Sequence, residues 1–260
     1  MTLLGDDRRP GGVTLAFTER TGGVSTGDFA SLNLGSRCGD DPAAVAENRR
    51  LVLTALGADA WADALVCPHQ VHGDHVVVVD DATTLDAARA EAEAGSDAVV
   101  CAVPAVPVLL CFADCVPVVL AAPGAFAVAH SGWRGTIARI AQKTLGILAD
   151  VAGCDAADVG CYIGPHIGPA DYEVSEDLAE RFRAEFGEKV TPTPRHLDLG
   201  FAVSEALVAG GADASRICCV EESTASHTDR FFSYRAEGGS CGRHAAIAVI
   251  RPQEGGEAHE

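Results

Sequence analysis

Apolar residues along the chain fall into short runs that proline, glycine or charged residues interrupt. Continuous runs of this kind are typical of strands covered on both faces, whereas a half-exposed strand alternates apolar and polar positions. The pattern predicts strands at Val13–Thr18, Val76–Val79, Ala98–Val103, Val108–Phe112, Val116–Leu120, Ala125–Ala129, Ile217–Val220 and Ala245–Ile250.

Helical signals lie between these runs. The clearest helix begins at Pro42, because Asp41 can cap it and proline suits the first helical position. Apolar residues then recur at helical spacing as far as Leu56, and Gly57 can end the helix. Further helices are predicted at Thr136–Ala149, Glu176–Phe186 and Phe201–Ala209.

Strands and helices intermix without the regular βαβ alternation of a parallel sheet. We therefore expect an α/β (α+β) fold with mixed sheets flanked by helices. A chain of 260 residues lies near the upper limit for one hydrophobic core, so a single domain over residues 1–251 is predicted. The polar residues 252–260 are predicted to be a disordered tail.

Composition and charge narrow the possible partners. Hydrophobic residues make up 48% of the chain, and 19 Lys and Arg stand against 37 Asp and Glu, a formal charge of −18. Such a surface repels phosphate backbones and anionic membranes, so neither nucleic acid nor a membrane is expected as a partner. The apolar stretch 98–129 is broken by Asp114 and several prolines, which favours buried strands over a membrane span.

The N-terminal residues lack the apolar core of a signal peptide, so a cytoplasmic protein is expected. Ten cysteines are present without any CxxC pair. In the cytosol they are expected to be reduced thiols. The polar, Gly-rich residues 20–40 are too long for a simple turn, and loops of that length tend to be functional.

Candidate chemistry lies in three segments at the ends of predicted strands: CPHQVHG at 67–73, FADCVP at 112–117 and AHSGWRG at 129–135. They contain His72, Cys115 and His130, and α/β sheets usually present their sites at strand ends. Two imidazoles and one thiolate suit Zn²⁺. Three protein ligands leave a fourth position open, which is the pattern of a catalytic zinc site.

Other interpretations of these residues stay open, because no compact spacing motif links the three. A histidine before a glycine can simply be a turn or core residue, and a cysteine in an apolar run can be a small core residue. His69 is a rival ligand. Asp114 could orient a ligand or act as a general base.

Seven segments, in order, resemble one protein family from about Ala16 to Ile250: the YfiH family, also called the laccase-domain, polyphenol-oxidase or FAMIN-type purine nucleoside phosphorylase family. They are FTERTGGVSTGDFASLNLG at 17–35, GDDPAAVAENRR at 39–50, QVHG at 70–73, ADC at 113–115, AHSGWRG at 129–135, IGPHIGPADYEV at 163–174 and FFSYR at 231–235.

The resemblance implies two mixed sheets packed together with helices outside, a four-layer αββα arrangement. It also implies zinc on His72, Cys115 and His130. The activities implied are phosphorolysis of adenosine, inosine or methylthioadenosine to free base and ribose 1-phosphate, and deamination of adenosine. The chain departs from the family pattern at Ser131, at Ala170–Asp171 and at Cys241.

Phosphorolysis needs cationic groups that bind phosphate, and arginine suits a bidentate contact. Arg134 is the first candidate because it follows His130 by four positions, so the predicted catalytic set is Cys115, His130, Asp114 and Arg134. The resemblance suggests Arg49, Arg235 and Arg243 as alternatives. Trp133 is interpreted as a packing residue.

Three competing functions use the same segments. Copper oxidation of phenols is disfavoured, because the chain has no HxH pair and Met1 is its only methionine. A cysteine-type hydrolase or amidase acting on peptidoglycan precursors would use Cys115 as nucleophile with a histidine as base. A non-catalytic regulatory module is the third possibility. The oligomeric state cannot be read from the sequence.

Overall fold

A computed structural model of the chain describes residues 2–6 and 10–252. Strands in this part of the chain are β1 Leu3–Gly5, β2 Val13–Thr18, β3 Val76–Val79, β4 Ala98–Cys101, β5 Val108–Phe112, β6 Val116–Ala122, β7 Ala125–Ser131, β8 Gly160–Ile163, β9 Ile217–Cys219 and β10 His244–Ile250. The α-helices are α1 Pro42–Ala55, α2 Leu85–Gly95, α3 Trp133–Ile137, α4 Ile140–Ala152, α5 Glu176–Phe186 and α6 Leu199–Ala209.

The strands form two sheets, one antiparallel and one mixed. One has four antiparallel strands in the order β1-β2-β10-β5, and the other has six strands in the order β3-β4-β7-β6-β8-β9. In the second sheet, β3 pairs with β4 and β8 with β9 in parallel, and the remaining pairs are antiparallel. The β6–β7 hairpin lies at its centre and is buried along its whole length.

Three apolar clusters divide the molecule into layers. The inner faces of the two sheets pack on each other through residues such as Phe17, Val99, Phe112, Phe126 and Val128. The outer face of the six-stranded sheet packs on α4, α5 and α6. The outer face of the four-stranded sheet packs on α1. Each fully buried Val, Leu or Phe contributes about 1.5–3 kcal/mol, so the sheet-to-sheet layer fixes the relative positions of the strand ends.

The predicted α/β architecture is confirmed, with two packed sheets and flanking helices, although only the six-stranded sheet is mixed and the four-stranded one is antiparallel. Several elements also keep their predicted ends: Val13–Thr18, Val76–Val79, Val108–Phe112 and Glu176–Phe186. The helix after Asp41 is confirmed with its cap, since the Asp41 side chain accepts from the Ala43 N–H at 2.9 Å. Gly57 follows that helix at a φ of 63°.

The predicted helix Thr136–Ala149 is wrong as a single element. Arg139 has a φ of 56°, a left-handed conformation that separates α3 from α4. Its guanidinium lies over the Phe186 ring at 5.1 Å and pairs with Glu185, contacts that compensate for the break. An α-helical period cannot reveal such a break, because apolar positions recur on both sides of it.

Smaller differences concern strand ends and elements that the pattern missed. The strand predicted to end at Ala129 continues to Ser131, so that His130 lies within β7. The strand predicted to end at Val103 stops at Cys101. The helix α2 was not predicted, because only Ala88 and Ala92 of its residues are buried. The short strands β1 and β8 were also missed.

No helix of the described residues is both long and apolar enough to cross a membrane. Of the predicted tail 252–260, all but Pro252 lies outside the described residues. The single-domain boundary stays a prediction.

Candidate active site

A cavity of about 790 Å³ opens where the turn before β3, the β5–β6 corner and the end of β7 meet. Residues 35–38 of the long polar segment and Arg49 of α1 form part of its wall, so this segment reaches the cavity. His72, Cys115 and His130 line the same cavity. The structure therefore brings the three predicted metal ligands together.

His72 lies in the turn before β3 with a φ of 59°, a left-handed conformation that is uncommon for residues other than glycine. The backbone N–H groups of Val71, His72 and Gly73 all donate to the Asp97 carboxylate, at 3.1, 3.0 and 2.7 Å. Three donors that converge on one anion stabilise this unusual turn. The His72 ring consequently points at Cys115, with Nε2 3.9 Å from Sγ.

Cys115 follows a second left-handed residue, since Asp114 has a φ of 88°. The Asp114 carboxylate is buried, and each of its oxygens accepts one hydrogen bond. Its Oδ1 accepts from Thr224 Oγ1 and its Oδ2 from the Arg235 N–H, each at 2.7 Å. Asp114 thus attaches the segment 224–235 to the corner that carries Cys115.

His130 lies on β7 opposite Pro117 of β6, and only 3% of its surface is exposed. Its Nδ1 donates to Asp97 Oδ1 at 2.7 Å, which leaves Nε2 to face the Cys115 thiol. The His72 and His130 rings meet edge to face with centroids 4.8 Å apart. Asp97 therefore contacts the segments of both histidines.

The three side chains fit a single zinc ion. Their ligand atoms all lie within 4.8 Å of one another, and no other such group of His, Cys, Asp or Glu occurs in residues 2–6 and 10–252. Tetrahedral zinc with ordinary bond lengths would place sulfur and nitrogen about 3.6 Å apart, close to the 3.9 Å between Cys115 and His72. A Cβ on Gly132 would lie 3.1 Å from Cys115 Sγ and 3.0 Å from His72 Cδ2, so glycine keeps this space clear.

The pKa values of Cys115, His130 and Asp97 are shifted by their contacts with one another. Burial raises the pKa of the Cys115 thiol, but the neighbouring imidazoles, His130 foremost, outweigh burial and lower it to about 6. Burial lowers the pKa of His130, yet the Cys115 thiolate and Asp97 together raise it to about 9. Burial raises the pKa of Asp97, but its hydrogen bond to His130 helps to bring that pKa below the usual value. A thiolate is the form in which cysteine acts as a nucleophile or binds a metal, and a metal bound here would require His130 to be neutral.

Three arginines line the cavity without an acidic partner among the described residues: Arg49, Arg235 and Arg243. Their guanidinium groups donate to backbone carbonyls instead. Arg49 bonds to Leu34 O, Arg235 to Asp171 O and Glu173 O, and Arg243 to Cys241 O and Gly242 O. In a chain with a net charge of −18, three uncompensated cations in one pocket favour an anionic ligand there.

Comparison with known proteins identifies the family of this chain. Residues 14–251 match the family model described as "Multi-copper polyphenol oxidoreductase laccase". The chain belongs to this laccase-domain, or YfiH, family. A Deinococcus radiodurans relative named purine nucleoside phosphorylase is 39% identical over 248 residues, covering 92% of this chain and 90% of the relative.

Solved structures of laccase-domain proteins share the fold. YlmD of Geobacillus stearothermophilus superimposes with a TM-score of 0.82 at 32% identity and covers 93% of each chain. YfiH of Bacillus licheniformis has a TM-score of 0.87 at 29% identity, over 96% of this chain and 97% of the other. The fold that the resemblance implied is therefore confirmed.

Two other predicted residues of this laccase-domain chain, Arg134 and His69, are not part of the ligand group, whereas Asp114 lines the cavity beside Cys115. The Arg134 guanidinium lies over the Trp133 ring at 4.6 Å and does not line the cavity, whereas Trp133 does. His69 is engaged through its backbone with Ala92 and Ser96 and is not part of the ligand group. The catalytic roles predicted for Arg134 and Asp114 stay predictions.

Two site residues escaped the sequence analysis. Asp97 immediately precedes the buried strand β4 and is itself fully buried, and Gly132 follows His130 by two positions. A charged residue at the start of a wholly apolar run was the available signal for Asp97. The close approach of Gly132 to the ligands had no signal in the pattern.

Proposed function

We propose that this chain is a zinc-dependent purine nucleoside phosphorylase, with His72, Cys115 and His130 as the metal ligands. The observation that carries the proposal is the joint occurrence, in one cavity, of a three-ligand group and three arginines without acidic partners. The name of the Deinococcus radiodurans relative supports the same activity.

In the proposed reaction a phosphate oxygen forms a bond to C1′ of the ribose while the C1′–N bond to the purine breaks. The electron pair of that bond stays with the base, which takes up a proton and leaves, and ribose 1-phosphate remains. Arg49, Arg235 and Arg243 bind the phosphate and hold it for attack. A bound zinc ion would supply Lewis-acid polarisation of a substrate oxygen.

Asp114 fits a positioning role in this scheme. Both of its oxygens already accept hydrogen bonds, one of them from the backbone of Arg235. It therefore holds one phosphate-binding arginine beside Cys115. Adenosine deaminase activity would use the same ligands and is part of the proposal as a second reaction at the same site.

Turnover measurements test the phosphorylase proposal. Adenosine, inosine and methylthioadenosine are incubated with and without phosphate, and free base, ribose 1-phosphate and deaminated product are measured. We expect release of base that depends on phosphate. Base release at the same rate without phosphate would contradict phosphorolysis.

Arginine variants test where phosphate binds. Loss of one charged hydrogen bond costs about 1.5–3 kcal/mol, so Arg243→Ala should raise the KM for phosphate about 10- to 100-fold. Arg216, which pairs with Asp158 away from the cavity, is the matched control. Arg134→Ala is compared with both. A larger rise of the KM for phosphate in Arg134→Ala than in Arg243→Ala would show that Arg134, not Arg243, binds the phosphate.

A cysteine-type hydrolase is the second candidate, because the low pKa of Cys115 beside His130 also suits a nucleophile. Metal content distinguishes the two. A zinc ligand changed by Cys115→Ser loses the metal, whereas a nucleophile changed in the same way keeps any metal and loses only turnover. Zinc also protects a thiolate, so the native protein should resist iodoacetamide until chelator is added.

Copper oxidation and a purely regulatory role have less support. The described residues offer one group of three candidate ligands, whereas a multicopper centre needs several such groups. A regulatory module has no need of a ligand group and uncompensated arginines in one cavity. Absence of turnover with every nucleoside, combined with tight binding of a protein partner, would favour that role.

A further inference from the structure

Asp97 is the most heavily engaged side chain near the ligands, although it faces no substrate. It is fully buried, and its main chain joins two elements of the site. Its N–H donates to His75 O at the start of β3, and its carbonyl accepts from the His130 N–H at 2.7 Å.

The carboxylate is saturated with donors. Oδ2 accepts from the Val71 and Gly73 N–H groups, and Oδ1 accepts from the His72 N–H and from His130 Nδ1. A carboxylate offers about four acceptor sites, and all four are used here. Asp97 therefore contacts both histidine ligands on the side away from Cys115, through the His72 backbone and the His130 ring.

We propose that Asp97 is the positioning residue of the metal centre, fixing both imidazole ligands at once. This inference rests on the proposed zinc site. Through the N–H groups of residues 71–73 it holds the left-handed turn that aims His72, and through Nδ1 it fixes the ring orientation of His130. Both imidazoles then present Nε2 toward Cys115.

The chemistry of the side chain explains why a carboxylate is needed. Every group that Asp97 faces is a donor, so its partner must be able to accept in all four directions. An asparagine keeps one oxygen and turns an NH₂ group toward two of the donors, which leaves them unpaired in a buried place. Asp97→Asn is therefore a change of a few atoms that removes the positioning without creating a cavity.

Metal affinity is the first test. Zinc binding to Asp97→Asn is measured by competition with a chromogenic chelator, with Asp40→Asn as the matched control. Asp40 also accepts from several donors, Ser25 Oγ, Asn33 Nδ2 and the Asp41 N–H, but contacts no metal ligand. We expect zinc affinity to fall about 10- to 100-fold in Asp97→Asn and to stay unchanged in Asp40→Asn.

A spectroscopic readout separates positioning from general loss of structure. In cobalt-substituted protein, the d–d absorption bands report the geometry of the ligands. They should shift in Asp97→Asn and match the wild type in Asp40→Asn. Wild-type affinity and an unchanged cobalt spectrum in Asp97→Asn would overturn the inference. If the wild type itself binds no zinc, the proposed metal centre fails and this inference fails with it.

A measurement on the unaltered protein covers the case in which Asp97→Asn does not fold. In wild-type protein with ¹⁵N-labelled histidine, NMR should show a proton on His130 Nδ1 that exchanges slowly with solvent, with and without zinc. A His130 ring without a proton on Nδ1 in the zinc-loaded protein would overturn the inference.

Discussion

Two buried histidines lie close to the ring of Phe112, and their hydrogen-bond partners differ completely. The His130 ring is 5.4 Å from the Phe112 ring, and the His244 ring is 6.5 Å from it on β10. His130 has Asp97 and Cys115 as partners. His244 is fully buried, and neither of its ring nitrogens has a hydrogen-bond partner among the described residues.

The electrostatic result is opposite for the two rings. Burial lowers the pKa of His244 to about 3; the Pro165 carbonyl opposes this shift but lies outside hydrogen-bonding geometry, and burial prevails. The same burial at His130 is outweighed by an acidic partner on each side, which raises its pKa to about 9. Depth in the core therefore does not make a histidine functional. The partners that the fold provides do.

The largest expected effect is on zinc content, when one of the two histidines is replaced. His130→Ala should lose most of the zinc, because it deletes a ligand, whereas His244→Leu should keep about one zinc per chain, because it deletes an unpartnered ring. Elemental analysis of the purified variants measures this. Loss of zinc in His244→Leu would break the distinction between the two histidines.

An intermediate effect on zinc affinity is expected when a methyl group is added beside the ligands at Gly132, two residues after His130, without removing a ligand. Gly132→Ala places a methyl group 3.0–3.1 Å from His72 and Cys115, so the ligands must move apart by tenths of an ångström. We expect about a 10-fold loss of zinc affinity, in the range seen when the surroundings of a metal site are disturbed.

The control for this change is Gly146→Ala in α4. A Cβ on Gly146 meets nothing within 4 Å, and alanine is a better helix former than glycine. This variant should bind zinc normally and gain about 0.5–1 kcal/mol in the free energy of unfolding. Equal zinc affinities in the two variants would show that Gly132 has no part in keeping the ligand space clear.

The smallest effect concerns stability in acid. The unfolded chain binds a proton at His244 near pH 6.5, whereas the folded protein does so only near pH 3. The contribution of neutral His244 is therefore complete above pH 6.5 and is lost as the pH falls from 6.5 toward 3.

His244→Leu removes this dependence. Between pH 7 and pH 5 the wild type should lose about 2 kcal/mol of the free energy of unfolding through His244, and the variant should not show this loss. Urea unfolding at both pH values, with chelator present so that zinc release does not contribute, measures the loss. An identical loss of stability in both proteins would mean that His244 is protonated in the folded state.

This comparison also explains how far the sequence could predict the site. Apolar runs and a capped helix predicted most strands, the helix at Pro42 and the fold class, because burial alone determines those patterns. His72, Cys115 and His130 were recognised as ligand types at strand ends. The role of Asp97 depends on contacts between segments about 25 to 33 residues apart, which no local pattern records. The left-handed break at Arg139 was missed because apolar positions recur at helical spacing on both sides of it.

The β6–β7 hairpin implies an order of assembly for the site. Its register places Ser131 opposite Val116 and His130 opposite Pro117, so closing one short hairpin already brings Cys115 and His130 together. His72 joins only when β3 pairs in parallel with β4 and Asp97 reaches the turn. Local contacts close sooner than distant ones. A full-length chain that refolds would thus form a two-ligand, weakly chelating hairpin first, and full metal affinity would report that the sheet is complete.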